Sequence, residues 1–278
     1  MRLSSLIAKD IKDTKVMNHL ISLQGVFAGY GGNDVVRDVT FDVSSGEFCA
    51  LLGRNGSGKT TLLKAICGLL PAIRGECFID GLNIARVNEY KRAKYISYIP
   101  QRLSTLRGVN VLDAVMMGLN AGLGALEHPS AKDKESAIDT LERVGVSHLA
   151  GEDFSTLSEG QKQLVVLART LIQNTPVVLM DEPDNALDFL NRHQLMDIFL
   201  RLIHNEGKAA LVTLHDPDLA LNYCDRIVVL NDGKVVSDLT LAGSNLTDIE
   251  TCLRMIYGDI TVIEHSGRYI VIPPAKLK

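Results

Sequence analysis

The sequence predicts an α/β fold: a mixed sheet flanked by helices, with an antiparallel β subdomain and an inserted helical subdomain. Three observations predict it. The stretch Gly53-Arg54-Asn55-Gly56-Ser57-Gly58-Lys59-Thr60-Thr61 fits the phosphate-loop pattern G-x-x-x-x-G-K-[ST]. It stands between a strand-like apolar run, Phe48 to Leu52, and a stretch of helical character, Thr61 to Leu70, stopped by Pro71. Farther on, Val177-Val178-Leu179-Met180 reads as a strand buried on both faces, as in a parallel sheet, with Asp181 and Glu182 at its tip. Between Val35 and Val43 the pattern alternates, Val39, Phe41 and Val43 against Asp38, Thr40 and Asp42, as in a half-buried antiparallel strand.

The remaining elements follow in order. Met1 to Val16 is polar and mixed in charge, and reads either as a flexible arm or as an extension ahead of a second start at Met17. Residues 17–278 form the predicted domain, beginning with a strand over Leu20 to Phe27 and a turn at Gly31-Gly32-Asn33. Cys77 to Ile79 and Tyr95 to Ile99 read as strands, the second ending at Pro100-Gln101. From about residue 102 to 175 the strand–helix alternation stops. Helices are expected over Val111 to Leu119 and Lys132 to Val144, with loops around Gly122 to Pro129. At Leu157-Ser158-Glu159-Gly160-Gln161 a capping box is expected to open another helix, Ser158 capping it and Gln161 reaching back. A helix over Arg192 to Leu202 precedes a buried strand over Ala209 to Leu214 that delivers His215 at its tip. Two hairpins close the chain, across Asn231-Asp232-Gly233 and across Ser266-Gly267.

Composition narrows the function classes. The 278 residues are 46% hydrophobic and 22% charged, ordinary for a globular chain of this length. Lys and Arg number 29 against 33 Asp and Glu, so the net charge is −4 and no basic bias points to nucleic acid. Met1 to Val16 lacks the continuous apolar segment of a secretory signal. Nowhere does an apolar run approach the ~18 residues of a membrane span, so any action on a membrane passes through a partner. Cys49, Cys67, Cys77, Cys224 and Cys252 are scattered, mostly within apolar runs, and read as buried reduced thiols rather than as a disulfide or zinc set.

The chemistry begins at the loop. Glycines allow the backbone to turn its N–H groups onto an anion, and a helix starting at the loop's end adds free N–H donors and the positive end of its dipole. Lys59 is suited to β and γ phosphates and the Thr60 hydroxyl to Mg²⁺. Asp181 at the tip of a core strand suits a magnesium-holding role, and Glu182 suits orienting or deprotonating water. Taken alone, Tyr30, Ser158 and His215 read as a loop plug, a helix cap and a hydrogen-bonded structural histidine; only the neighbouring nucleotide site gives them another reading.

Together these motifs resemble the ATP-binding cassette family, the ATPase subunits of ABC transporters, over nearly the whole chain from Leu20 on. Gly53 to Thr61 resembles Walker A, contributing Gly53, Asn55, Gly56, Ser57, Gly58, Lys59, Thr60 and Thr61 to nucleotide binding. Tyr30 matches the aromatic that stacks on adenine, and Gln101 the Q-loop glutamine that touches Mg²⁺ beside the membrane partner. Leu157 to Gln161 resembles the signature motif, with Ser158, Gly160 and Gln161 turned to nucleotide, although Glu159 replaces a usual glycine. Asp181 and Glu182 match Walker B and the catalytic glutamate, Asn185 to Asp188 the D-loop, and His215 the switch histidine. Asp184 and Asn185 stand where Thr and Ser are common.

The resemblance implies ATP with Mg²⁺ and a homodimer in which each ATP lies between Walker A of one copy and the signature of the other. It further implies integral membrane permease subunits, an extracytoplasmic substrate-binding protein met indirectly, no nucleic acid, and a peripheral place on the cytoplasmic face of the plasma membrane. The ending Met255-Ile256-Tyr257-Gly258 and Val271-Ile272-Pro273 resembles importers of iron–siderophore, haem or cobalamin. Other bacterial transporter ATPases, and a soluble cassette ATPase of the iron–sulfur assembly type, share the same motifs. A P-loop kinase or GTPase is disfavoured by the signature motif and by the absence of N-K-x-D.

Overall fold

The computed structural model describes residues 18–70, 73–101, 106–121, 129–185 and 187–274. The proposed N-terminal arm, Pro71, most of the loop ahead of Pro129, and Ala186 lie outside the described residues.

Strands β1 (His19–Tyr30) and β2 (Asn33–Ser44) form a long antiparallel hairpin turning at residues 31–32. Strand β3 (Phe48–Leu52) runs into the glycine-rich loop, and α1 (Lys59–Ile66) follows. Strand β4 (Ile73–Ile79) returns to pair with β1, and β5 (Leu82–Asn83) extends that sheet, giving the order β2-β1-β4-β5. The short α2 (Glu89–Arg92) leads to β6 (Ile96–Ile99). Helices α3 (Val111–Met116), α4 (Ala131–Arg143) and α5 (Glu159–Ile172) pack on one another through Val111, Ala114, Val115, Ala137, Leu141, Val165 and Ala168. Strand β7 (Val177–Asp181), α6 (Phe189–Glu206), β8 (Ala209–Thr213), α7 (Pro217–Tyr223), β9 (Arg226–Asn231) and β10 (Lys234–Thr240) complete the core. Helix α8 (Leu246–Tyr257) and the hairpin of β11 (Thr261–His265) and β12 (Arg268–Ile272) end the described chain.

The central sheet has the order β10-β9-β3-β8-β7-β6, parallel throughout except for the edge pair β9–β10. Its side chains alternate strictly between two cores. Phe48, Ala50, Val178, Met180, Ala210 and Val212 face the core that holds α5, α6, α7 and α8. Cys49, Leu51, Val177, Leu179, Ala209 and Leu211 face the core shared by α1 and the antiparallel sheet. Apolar side chains on both faces are what a parallel sheet covered on both sides requires. Both strands read from the sequence as buried, β7 and β8, lie here with every residue buried.

The structure departs from the expected elements in several places. Helix α1 ends at Ile66, five residues before Pro71. Gly68 takes φ +70°, its N–H bonds the carbonyl of Ala65 at 2.9 Å, and the N–H of Leu69 bonds that of Lys64 at 2.8 Å. Those two reversed bonds are a Schellman stop, which glycine adopts without steric cost, so proline is not needed to end the helix. Helix α3 is shorter than expected and tightens into a 3₁₀ segment over Met117–Ala121. Helix α6 starts at Phe189, three residues before Arg192, because Asp188 caps it. Two helices, α7 and α8, stand where the sequence reading places none. Pro217 at the first position of α7 follows the cap Asp216, and Asn245 with Asp248 forms a full capping box on α8.

All five thiols are unpaired, and four of them are buried. Burial pushes the Cys77 thiol up to about 12, and raises the other four as well.

Leu253 on α8 is wholly buried. Leu253→Ala is expected to cost roughly 2–5 kcal/mol. Urea denaturation checks this, and an unchanged midpoint would contradict the packing described.

Candidate functional site

The site forms where the C-terminal ends of β3, β7 and β8 meet, the place at which open α/β sheets bind ligands. The loop after β3 turns through Gly56 at φ +80° and Gly58 at φ +105°, and α1 starts directly behind it. A Cβ at Gly53 would sit 2.3 Å from the Leu230 carbonyl oxygen and 2.5 Å from Ser57 Oγ, so this position admits no side chain. The loop encloses a cavity of about 190 Å³ lined by Val35, Asn55, Gly56, Ser57, Gly58, Lys59, Thr60, Thr61 and Glu182. Main-chain N–H groups at a helix start and a buried Ser57 hydroxyl with no hydrogen-bond partner make a donor-rich cradle suited to phosphate. Lys59 is 5% exposed, and its ammonium donates to the Gly53 carbonyl at 2.7 Å. Burial lowers its pKa, against the charges of Glu182 and Asp181.

Asp181 joins three elements. Its Oδ1 accepts from the Thr60 hydroxyl at 3.0 Å and the Thr213 hydroxyl at 2.9 Å, while Oδ2 accepts from the Tyr98 hydroxyl at 3.2 Å. Glu182 follows in the left-handed region at φ +50°, buried, with its N–H bonded to Thr213 Oγ1 at 2.8 Å. Its carboxylate accepts from Gln101 Nε2 and Asn185 Nδ2 and pairs with His215 Nε2. Gln101, Asn185 and His215 thus converge on the Glu182 carboxylate at the cavity wall. A carboxylate so held can orient or deprotonate a water against a bound phosphate.

Other predicted residues stand elsewhere. Tyr30 ends β1 with 51% of its surface exposed and lines no part of the cavity. Ser158 and Gln161 form the expected capping box at the start of α5: the Gln161 N–H donates to Ser158 Oγ at 3.3 Å, and the Ser158 N–H donates to Gln161 Oε1 at 2.9 Å. Gly160 lies in the first turn with Leu187 3.2 Å from where its Cβ would be. None of residues 158–161 lines the cavity. Glu159 turns its carboxylate onto Lys162 Nζ at 2.7 Å, so its charge points away from the helix start. Asp188 caps α6 through the Asn191 N–H at 2.9 Å. Asp184 is buried with Oδ1 unpartnered, and burial raises its pKa.

Sequence reasoning missed Thr213, Tyr98 and Val35. Thr213 had a signal: it is a hydroxyl residue at the end of an otherwise apolar strand, and parallel pairing puts it opposite Asp181.

A strand–loop–helix cradle with a carboxylate pair at the neighbouring strand tip, a helical segment between the two, and an antiparallel sheet beside them defines a P-loop ATPase of the cassette type. The chain belongs to the ABC transporter family, whose pattern matches residues 36–185, as its ATP-binding and ATP-hydrolysing subunit. It is similar to an uncharacterised ABC transporter ATP-binding protein of Methanocaldococcus jannaschii, 32% identical over 91% of this chain and 98% of that one. An iron chelatin transport ATP-binding protein of Helicobacter pylori is 33% identical over 85% and 95%. A phosphonates import ATP-binding protein of Pseudomonas aeruginosa is 34% identical over 87% and 90%. Among solved structures, a dimeric bacterial ABC transporter cassette matches with a TM-score of 0.71 at 28% identity, over 81% of this chain and all of that one. An inward-facing ABC transporter of metal-chelate type shares the fold, with a TM-score of 0.76 at 24% identity over 92% and 96%. Among the described residues, no helix is long and apolar enough to cross a membrane.

Thr213→Val keeps the shape of the strand and removes the hydroxyl shared by Asp181 and Glu182. It is expected to destabilise the fold by about 1–3 kcal/mol, because the Asp181 carboxylate loses a hydroxyl donor and the Glu182 N–H keeps only the Thr213 carbonyl, at 3.2 Å. Chemical denaturation measures this, and an unchanged midpoint would show that the bond contributes nothing.

Proposed function

We propose that this chain hydrolyses ATP as a homodimer to drive uptake of a metal chelate (iron–siderophore, haem or cobalamin) through a membrane permease. One observation carries the hydrolytic part: Glu182, held by Gln101, Asn185 and His215, lines the same cavity as the phosphate loop. Lys59 and the loop N–H groups of residues 55–61 bind the β and γ phosphates. Glu182 takes the proton of the attacking water, and His215 contacts the γ-phosphate.

A Thr60 hydroxyl and an Asp181 carboxylate oxygen 3.0 Å apart are hard oxygen donors that fit Mg²⁺, and Gln101, bonded to the adjacent Glu182, would join them. When bound, the ion neutralises phosphate charge.

A second copy gives a role to the predicted residues that do not line the cavity. Ser158, Gly160 and Gln161 sit at a helix start away from the loop, so they reach the γ-phosphate from a partner, and Asp188 and Tyr30 complete the clamp around the nucleotide. Glu159, tied to Lys162, leaves that approach free of repulsion.

Import of a chelate rests on the chain's ending, on the iron chelatin relative and on the chelate-type fold neighbour. The permease would place the chain on the cytoplasmic face of the membrane, with a substrate-binding protein met only through it. The phosphonate relative, at similar identity, favours a second reading: import of a phosphonate.

Glu182→Gln is expected to lower the hydrolysis rate by roughly 10²–10⁴-fold while ATP still binds. Lys59→Ala is expected to weaken ATP binding itself. Full turnover by the first variant, or unchanged ATP affinity in the second, would end this assignment. For the cargo, ATPase activity in vesicles containing the permease and binding protein should rise with a ferric siderophore, haem or cobalamin and not with a phosphonate. The reverse pattern would overturn the chelate reading.

A further inference from the structure

The chemistry proposed for the site leaves one contact unused. Tyr257, the last residue of α8, donates its hydroxyl to the main-chain carbonyl of His215 at 3.0 Å. We infer that Tyr257 is a positioning residue for His215: it tethers the loop between β8 and α7 so that the imidazole stays against Glu182. The inference rests on the reading above, in which Glu182 and His215 act on ATP.

The tether needs a fixed anchor, and α8 supplies one. Ile249, Cys252, Leu253 and Ile256 are buried along one face of the helix, at the spacing of a single stripe. The Arg254 guanidinium donates to the Ile260 carbonyl at 3.0 and 3.2 Å, and Glu250 accepts from the Val262 N–H at 2.8 Å. The hairpin beyond is tied back to α7 in turn. The Val271 N–H reaches Asp218 Oδ1 at 2.8 Å, and the Tyr269 N–H reaches Asn222 Oδ1 at 3.0 Å. Helix α8 is therefore tied to the segment beyond it and packed on β9 and β10, and the phenol at its end has a defined position.

The loop it holds has room to move. A cavity of about 630 Å³ opens beside it, lined by Gly53, Arg54, Asn55, His215, Ile256, Tyr257 and Gly258. A half-exposed histidine with open space on one side is not fixed by packing, so a directed hydrogen bond to its backbone does more there than it would in a filled core. The next residue is also constrained. Asp216 caps α7 through the Asp218 N–H at 2.9 Å and pairs with Arg192 at 3.4 Å, so the tether and the cap bracket the histidine. The phenol remains a donor across the working range, since burial, helped by the Asp216 charge, pushes it up to about 12.

The test is Tyr257→Phe in the full-length protein, which deletes one oxygen and keeps the ring. The expected result is a fall in kcat of about tenfold, the equivalent of one directed hydrogen bond. KM for ATP should stay within about twofold, since the phosphate cradle is untouched. The imidazole resonance of His215, identified by its loss in His215→Ala, should shift in ¹⁵N-labelled Tyr257→Phe protein. Wild-type kcat in the variant overturns the inference. So does a loss of kcat with the His215 resonance unmoved, which would mean that Tyr257 acts elsewhere. A thermal melt matching wild type establishes that the variant is folded. If it does not match, Tyr257→Trp, which keeps an N–H donor on an aromatic ring, must restore both kcat and the resonance, and failure to do so also overturns the inference. Absence of ATP hydrolysis by the wild-type protein would instead sink the functional reading and is seen before any variant is made.

Discussion

The arrangement of this site depends on Asp181. One of its oxygens receives hydroxyls from Thr60, in the first turn of α1, and from Thr213, at the end of β8. The other receives Tyr98 from β6. A single buried carboxylate therefore fixes the phosphate loop's helix relative to three adjacent strands. Hydrogen bonds to a charged acceptor in a low-dielectric interior are among the stronger ones a fold can make. Thr213 passes the constraint on, because the oxygen that donates to Asp181 also accepts the N–H of Glu182. Loop, magnesium-suited oxygens and the candidate base are in this way parts of one bonded unit.

The two cores divide the labour of holding that unit. Helix α1 and the antiparallel sheet are rooted on one face of the central sheet, and helices α5 to α8 on the other. Strand β7 belongs to both, since Val177 and Leu179 point one way and Val178 and Met180 the other. Its tip is thus anchored from both sides, which suits the place where Asp181 and Glu182 leave the sheet. Ser158, by contrast, is carried by the α3–α5 group, at a helix start that meets the segment after β7 through Gly160 and Leu187.

The parts legible in the sequence were those with a short local cause. The loop, the buried strands β7 and β8, the capping box at Ser158 and the alternation of β2 each depend on residues within a few positions of one another. The missed parts had causes that lie across the chain or behind weak punctuation. Thr213 matters because parallel pairing puts it opposite Asp181, a fact of topology. The early end of α1 comes from Gly68, whose signal was overshadowed by Pro71 a few residues on. Helix α8 was readable in principle, from Asn245 and Asp248 at its start and the stripe Ile249, Cys252, Leu253 and Ile256. Its importance was not, since the contact of Tyr257 with His215 spans two distant elements. Tyr30 and Asp188 show the opposite case: their motif positions are plain, yet in the single chain one is exposed and the other caps a helix.

The backbone at Glu182 carries a consequence for how such a chain can change over time. A non-glycine residue at φ +50° is held against roughly 1–3 kcal/mol of conformational strain. Glycine would relax that position and lose the carboxylate. Relief of that strain would therefore empty the cavity wall of the one carboxylate on which Gln101, Asn185 and His215 meet.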